Sequence, residues 1–344
     1  VADINGIVSS QDLANLRDGV NVALTALGTD SSTVYQKIAF VDDGSATGGN
    51  ILGKVQGMFD NGDGTTGEVV RYPFSPVSNA PSLWPFGEPR GEVDEVIQYL
   101  QVTRTRQGIP DTRLYWDTQD VWGILNNKAA EIMKRAGLLW DFMLAAKING
   151  NGTCYDGVSF FNSAHPCDPN DSTKGTYSND VSIAALDATG FAALLDAYAA
   201  IKWFDGKPRN QEMRKPIVLC PNKSLELAVR QLVFGSLIPF AGTRNDVGGS
   251  SPFNGMVEDV LFMPTLLTES AGANANKYIY LVSPGTPVKA AFIVSPKRQP
   301  IFHLSGIDPN EEIRRKHGAT AYGWDAFGGA DLGLPQDCVR GKVG

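Results

Sequence analysis

The sequence predicts an α+β protein, and three observations carry that class. A proline-free stretch from Asp117 to Asn149 repeats apolar residues at helical spacing. Residues 216–264 read as strand, helix and strand in succession. Residues 42–91 are crowded with turn formers and then with prolines, in an excursion that cannot build a core of its own.

The 117–149 stretch carries Val121, Leu125, Ala129, Ile132, Ala136, Leu139, Met143 and Ala146 on one stripe, widened by Trp122, Met133, Trp140 and Phe142. Asp117, Thr118 and Asp120 suit the positive N-terminal end of a helix, and Gly150 and Gly152 stop it. About 30 residues would make a rod of roughly 45 Å. Earlier in the chain, Leu13, Leu16, Val20, Leu24 and Leu27 predict a short helix ending near Gly28. Val93, Val96, Ile97, Tyr99, Gln101 and Thr103 read as strand material. Beyond the long stretch, Ala184–Phe204 reads as a second helix. Ile217–Cys220 reads as a strand, and Asn222 is placed to cap a helix through Leu225, Ala228, Val229 and Leu232. Strands are expected at Val257–Met263, Tyr278–Val282, Ala290–Val294, Ile301–Leu304 and Gly318–Phe327.

With 344 residues the chain fits one large irregular domain or two to three packed subdomains. It has 42% hydrophobic and 19% charged residues, a globular composition. Its 37 glycines and 20 prolines imply many turns and long loops rather than a helical bundle. The net charge of -7, with no run of Lys or Arg, disfavours tight non-specific nucleic-acid binding. Four scattered cysteines suit free thiols in a reducing compartment. The first ten residues lack the pattern of a signal peptide, and no apolar run is long enough to span a membrane.

Candidate chemistry is sparse. Gly62-Asp63-Gly64-Thr65-Thr66-Gly67 has the dinucleotide-fingerprint spacing, but strand-like Glu68–Tyr72 follows where a helix should start, so a turn is expected. Asp60–Glu68 resembles a calcium loop but puts glycine where oxygen ligands are required. Cys154, His165 and Cys167 lie close in sequence. They lack a fourth zinc ligand and an orienting partner for a Cys–His nucleophile, so a His in a turn-forming loop is the expected reading. His303 and His317 stand alone, in a strand and at a strand edge. Trp84, Trp116, Trp122 and Trp140 lack the surrounding cations of a base-stacking platform and read as core or interface anchors. Glu92, Asp94 and Glu95 read as a solvated or interface strand face. No catalytic, cofactor-binding or metal-ligating residue is assigned, and no enzyme activity is expected.

Behind the long helix, residues 151–170 contain Tyr155-Asp156-Gly157, the Phe160-Phe161 pair and His165-Pro166. This block resembles the Mu-like phage major head subunit family, in which a long helix ends in a short Cys/Gly loop followed by these residues. Tyr35–Ala39 is similar to that family's N-terminal approach, Lys215–Leu219 and Leu225–Ala228 to its strand entering the next helix, and Tyr322-Gly323-Trp324 to its closing strand. Residues 56–92 and the first 30 depart from it. The resemblance implies the Hong Kong 97 phage capsid fold: an N-terminal arm (1–50), an extended loop lying over a neighbour (51–115), a peripheral domain (116–209) with a spine helix at 117–149, an axial domain (210–295), and a return to the peripheral domain (296–344). It implies a major capsid protein that self-assembles into hexamers and pentamers of an icosahedral head around double-stranded DNA, with no sequence-specific grip on that DNA and no membrane. The expected location is the virion, after assembly in the host bacterial cytoplasm. Portal, scaffold and decoration or cement proteins are the other implied partners. The alternatives are a nanocompartment shell subunit of the same fold, with a cargo-peptide pocket, and a metal or thiol enzyme built on Cys154, His165 and Cys167.

Overall fold

A computed structural model describes residues 33–42, 55–60, 66–74, 98–115, 135–204, 215–235, 251–268, 274–285, 290–305, 310–317 and 319–344, with a few isolated positions besides. Positions 14, 15, 17–19 and 22 are helical, inside the span where the leucine spacing predicts a helix. The fold is α+β, as expected.

Two sheets organise it. The first contains β1 (Phe40–Val41), β2 (Val55–Asp60), β3 (Thr66–Phe74), β4 (Gln98–Tyr115), β11 (Phe292–Ser305) and β12 (Ala319–Leu332), in the order β1-β11-β12-β4-β3-β2. The second contains β7 (Asp180–Ile183), β8 (Ile217–Cys220), β9 (Asp259–Phe262), β10 (Tyr278–Val282) and β13 (Cys338–Val343), in the order β7-β13-β10-β8-β9. β5 (His165–Pro166) and β6 (Thr176–Tyr177) form a small ladder between them in sequence. The helices are α1 (Val34–Ile38), α2 (Leu139–Gly150), α3 (Ala188–Ala199), α4 (Lys223–Phe234) and α5 (Glu312–His317).

The predicted rod at 117–149 requires a correction. Residues 117–134 lie outside the described ones, and in the remainder the helix is interrupted. Residues 135–137 are helical, Leu138 is a turn with φ -96 and ψ 3, and α2 begins after it. The Leu138 N–H donates to the Arg135 carbonyl three residues back, a tightened turn. Gly137, a poor helix former, sits at that point. The second helix is also shorter than the predicted 184–204: it runs from Ala188 to Ala199, and residues 180–183 before it pair in parallel with β13. The Asp187 carboxylate caps α3 by accepting from the Gly190 N–H at 2.7 Å. A Cβ on Gly190 would lie 2.1 Å from the Ala185 carbonyl oxygen, so only glycine lets the chain turn in this tightly.

The strand–helix–strand reading of 216–264 holds. β8 and β9 are parallel, α4 crosses between them, and the Asn222 side chain accepts from the Leu225 N–H at 2.8 Å. The two strands expected at 290–304 are one strand with register shifts beside Pro296 and Pro300. Proline cannot donate to a ladder, so each break falls where a proline stands. The strand expected at 318–327 continues to Leu332, and β7 and β13 were not expected from the sequence at all.

The core divides along the five-stranded sheet, by the period-two alternation of its strands. Ile217, Leu219, Tyr280, Val282 and Cys338 face the cluster that contains Trp140, Leu144 and Ile148 of α2, with Phe292, Phe302 and Trp324 of the larger sheet. Val218, Cys220, Ile279, Leu281 and Val339 face α3 and α4, against Phe191, Leu194, Val229 and Val233. The C-terminal strand is thus buried on both faces, and it joins the 217–282 segment although it lies in the stretch expected to return to the peripheral domain.

β4 is the longest of the described strands, and it changes partner along its length. Residues 98–104 pair with β3, and residues 105–115 pair with β12. β3 pairs in turn with β2. The result is a three-stranded ribbon whose described ladder to the body runs through β4. Pro73 lies beyond the last β2–β3 pair, Val55 with Arg71, so it removes no donor from that ladder. Pro110 lies in the irregularity between the Thr112–Tyr322 and Ile109–Trp324 pairs.

Candidate functional site

The block singled out in the sequence folds into a polar knot behind α2. The helix ends on Asn151 in the left-handed region, φ 45, a conformation Asn tolerates. Its side chain accepts from the Phe161 N–H at 2.7 Å and donates to the Phe161 carbonyl at 3.3 Å. Between these contacts the chain makes a tight turn, closed by the Cys154 N–H donating to the Val158 carbonyl and by Gly157 at φ +82. Asp156 is thereby turned inward. One of its oxygens accepts from the Val158 N–H, and the other lies 2.6 Å from His165 Nδ1.

His165 is fully buried and held on three sides. Nε2 lies 3.0 Å from the Phe160 carbonyl oxygen, and the ring stacks on Tyr177 with centroids 5.1 Å apart. Asn179, also fully buried, donates to the Phe160 and Pro335 carbonyls at 2.7 and 3.1 Å and accepts from the Asn162 N–H. The Tyr155 hydroxyl accepts from Gln336. Arg340 of β13 makes a bidentate pair with Asp180 at 3.0 and 2.6 Å, with its guanidinium over the Phe161 and Tyr278 rings.

This arrangement does not perform Cys–His chemistry. The His–Asp contact has the form of a catalytic dyad, but the far imidazole nitrogen is occupied by a backbone carbonyl rather than a thiol. Burial, and then the Asp156 and Asp331 charges, push the Cys154 thiol well above its ordinary value, so it stays protonated. Burial pushes Cys220 up to about 12 and raises Cys338 well above its ordinary value. Cys167 is buried. Among the described residues no group of three or more His, Cys, Asp or Glu is placed to hold a metal ion.

The remaining candidates fall elsewhere. Gly67 pairs with Phe59 in the β2–β3 ladder, so a strand and not a helix follows the Gly62–Gly67 run, whose residues 62–65 lie outside the described ones. His303 and Arg298 share Asp325, at 2.8 and 2.6 Å, with both side chains about half exposed. His317 ends α5 and is not at a strand edge. Trp140 is 2% exposed, with Nε1 donating to Gln299, a core anchor as expected. Trp84, Trp116, Trp122, Glu92, Asp94 and Glu95 lie outside the described residues. A cavity of about 430 Å³ opens at the end of α2, lined by Lys147, Thr153, Cys154, Tyr155, Asp331 and Gly333, and Lys147 and Asp331 neutralise each other across it at 3.0 Å.

Asn179, Arg340, Asp141, Arg104 and Asp42 were not singled out in the sequence. Each finds its partner across a long sequence separation, which no spacing rule records. Asp141 accepts from the Tyr35 N–H at 2.8 Å, so the carboxylate of α2 caps α1, whose own N-cap Thr33 makes no such bond.

Comparison with known proteins agrees with this structural reading. Residues 116–218 match the family model described as the Mu-like prophage major head subunit gpT. The outer likenesses at 35–39 and 322–324 lie beyond that match. No curated protein matches the chain by sequence. Among solved structures, the capsid of cyanophage P-SCSP1u aligns over 91% of this chain and 88% of that one, with TM-score 0.51 and 11% identity. The capsid of Myoviridae phage XM1 aligns over 90% of each chain, with TM-score 0.47 and 10% identity. The first of these establishes a shared fold. The family match includes the whole polar knot from Asn151 to Asn179. Residues 116–218 are therefore similar to the Mu-like major head subunit family, and the chain as a whole shares the fold of a phage capsid protein.

Proposed function

We propose that many copies of this chain close into the shell of an icosahedral phage head, as rings of six and five around double-stranded DNA. The observation that carries this reading is the β2–β3–β4 ribbon. Its described ladders join it to the body only through β4, and an extended segment of this kind finds its remaining burial on a neighbour. In this reading 1–50 is the arm, 51–115 the extended loop, 116–209 the peripheral part, 210–295 the axial part, and 296–344 the return, with β7 and β13 completing the axial sheet. Heterologous contacts that close by rotation generate both ring sizes. The net charge of -7 suits a wall that encloses DNA without gripping it. Portal, scaffold and decoration proteins are the further partners, and assembly takes place in the host bacterial cytoplasm.

Negative-stain microscopy of the expressed chain tests the proposal. Closed shells, rings or tubes are expected, and a discrete monomer would overturn it. Deleting residues 56–90 is expected to leave a foldable body and abolish closed shells. Normal shells from that deletion would refute the role given to the ribbon.

A further inference from the structure

The chain contains five Asn-Gly pairs, beginning at Asn5, Asn61, Asn149, Asn151 and Asn254. In such a pair the backbone nitrogen of the glycine reaches the side-chain amide before it with least hindrance, because glycine carries no Cβ. Asn5 and Asn61 lie outside the described residues. Two of the other three are held by the fold. Gly150 is the last residue of α2, and the Asn149 side chain donates to the Leu266 carbonyl at 2.9 Å. The Asn151 side chain accepts from the Phe161 N–H and donates to the Phe161 carbonyl, so both of its polar atoms are engaged.

Asn254 is placed differently. It is exposed, in a turn closed by the Met256 N–H donating to the Phe253 carbonyl at 3.0 Å, with Gly255 in the third position at φ +82. The Gly255 N–H is the central one of that turn and is not the one that closes it. The space beside Gly255 is open. Apart from its neighbours in the chain, a Cβ there would meet nothing nearer than Lys215 Nζ, at 4.0 Å. A five-membered ring joining the two residues therefore has room, with an ammonium beside it. That charge stands where negative charge gathers as the glycine nitrogen attacks an amide carbon.

We propose that Asn254 is a site of spontaneous deamidation through a cyclic imide, assisted by Lys215. A bond forms from the Gly255 nitrogen to Asn254 Cγ, and the Cγ–Nδ2 bond breaks. The proton lost from the Gly255 nitrogen leaves with the side-chain nitrogen as ammonia. Water then adds to one of the two imide carbonyls and opens the ring, giving aspartate or isoaspartate. Water is the co-reactant, and nothing is oxidised or reduced. Either product places a carboxylate near Lys215. Isoaspartate also routes the main chain through the β-carbon, which lengthens a turn tied to two helices. Phe253 packs edge-on against Phe191 of α3 with centroids 5.2 Å apart, and the Ser251 hydroxyl donates to the Leu232 carbonyl of α4. The inference does not rest on the shell proposal and is read on the unassembled chain.

The test is site-resolved mass spectrometry of the full chain after incubation in mildly alkaline buffer, with and without urea. In the folded chain, position 254 is expected to gain one mass unit roughly tenfold or more faster than 149 or 151, which must first open locally. In urea the three are expected to react at similar rates. Lys215→Met is expected to slow the gain at 254 about threefold at low salt, a difference that added salt removes, as befits an exposed charge. Asn254→Gln is expected to show no gain there and to keep its Tm over an incubation in which the parent's falls. Equal rates at 254, 149 and 151 in the folded chain would overturn the site. An unchanged rate in Lys215→Met would overturn the part given to the ammonium, and a parent Tm that holds while 254 reacts would overturn the loosening of the turn.

Discussion

The polar knot and the ribbon base each bury a hydrogen-bonded polar pair away from solvent, but they are built differently. In the knot, His165 and Asp156 are nine residues apart and 2.6 Å in contact, on a loop that also supplies the Phe160 carbonyl. At the ribbon base, Arg104 reaches Asp42 across 62 positions and Ser295 across 191. The knot therefore closes mainly on its own stretch of chain, while the ribbon base exists only when three distant segments are docked. A locally closed polar network makes one loop rigid. A network closed over long range reports whether its segments are together.

The largest expected effect tests the local closure. His165→Phe keeps an aromatic ring against Tyr177 but leaves Asp156 buried with one oxygen unpaired. Removing one partner of a buried pair costs about 3–5 kcal/mol, so a marked fall in Tm of the unassembled chain is expected. Asp156→Leu combined with His165→Phe is expected to recover much of that loss. If the single variant unfolds at the parent temperature, the knot is not holding the loop.

A second variant tests how the arm is fastened on its other side, where Asp141 caps α1. Burial raises the Asp141 carboxyl from 3.8 to about 6, and the N–H bonds from Tyr35 and Val34 only partly oppose this. The folded value lies above the unfolded one, so the folded chain binds the proton more readily between pH 4 and 6. The stability contributed by this group is fully present below about pH 4 and is lost as pH rises through 6, by up to ~3 kcal/mol. Asp141→Asn keeps an oxygen acceptor for the Tyr35 N–H without the charge. It is expected to match the parent near pH 4 and exceed its stability near pH 7.5, measured by urea unfolding at both values. Identical pH profiles for the two proteins would show that Asp141 is not the source.

The same contrast explains what could be read from the sequence. Tyr155–Pro166 was legible through its resemblance to the Mu-like head subunit family, and its turn and aromatic pair sit within a few residues of one another, with Asn151 after the helix and Gly157 at positive φ. Asn222 was legible as a cap because its partner, the Leu225 N–H, is equally near in sequence. The 117–149 rod was overdrawn because an apolar stripe runs on past Gly137, and periodicity does not register a single tightened turn. β13 was missed because Cys338–Val343 alternates weakly. Its identity as a strand comes from pairing with Asp180–Ile183 and Tyr278–Val282, both far away in sequence. Arg104 gave no signal at all, since an arginine in a strand reads as a solvated face until its partners are known.

The smallest expected effect lies where the two kinds of closure meet. Arg340 belongs to the distant strand β13, yet it completes the knot by gripping Asp180 and lying between Phe161 and Tyr278, with its centre 4.6 and 4.5 Å from the ring centroids. Burial pulls its pKa down, but the hydrogen bonds and charge of Asp180 outweigh this, and the net direction is up. Arg340→Lys keeps the charge and loses the fork and the planar stack, for an expected cost of about 1 kcal/mol. Arg340→Ala removes the charge as well and is expected to cost about 1 kcal/mol more. If lysine costs nothing while alanine costs the full amount, Arg340 acts as a point charge and the two rings contribute nothing to holding the last strand. If lysine and alanine cost the same, the geometry of the fork is what fastens β13 to the knot.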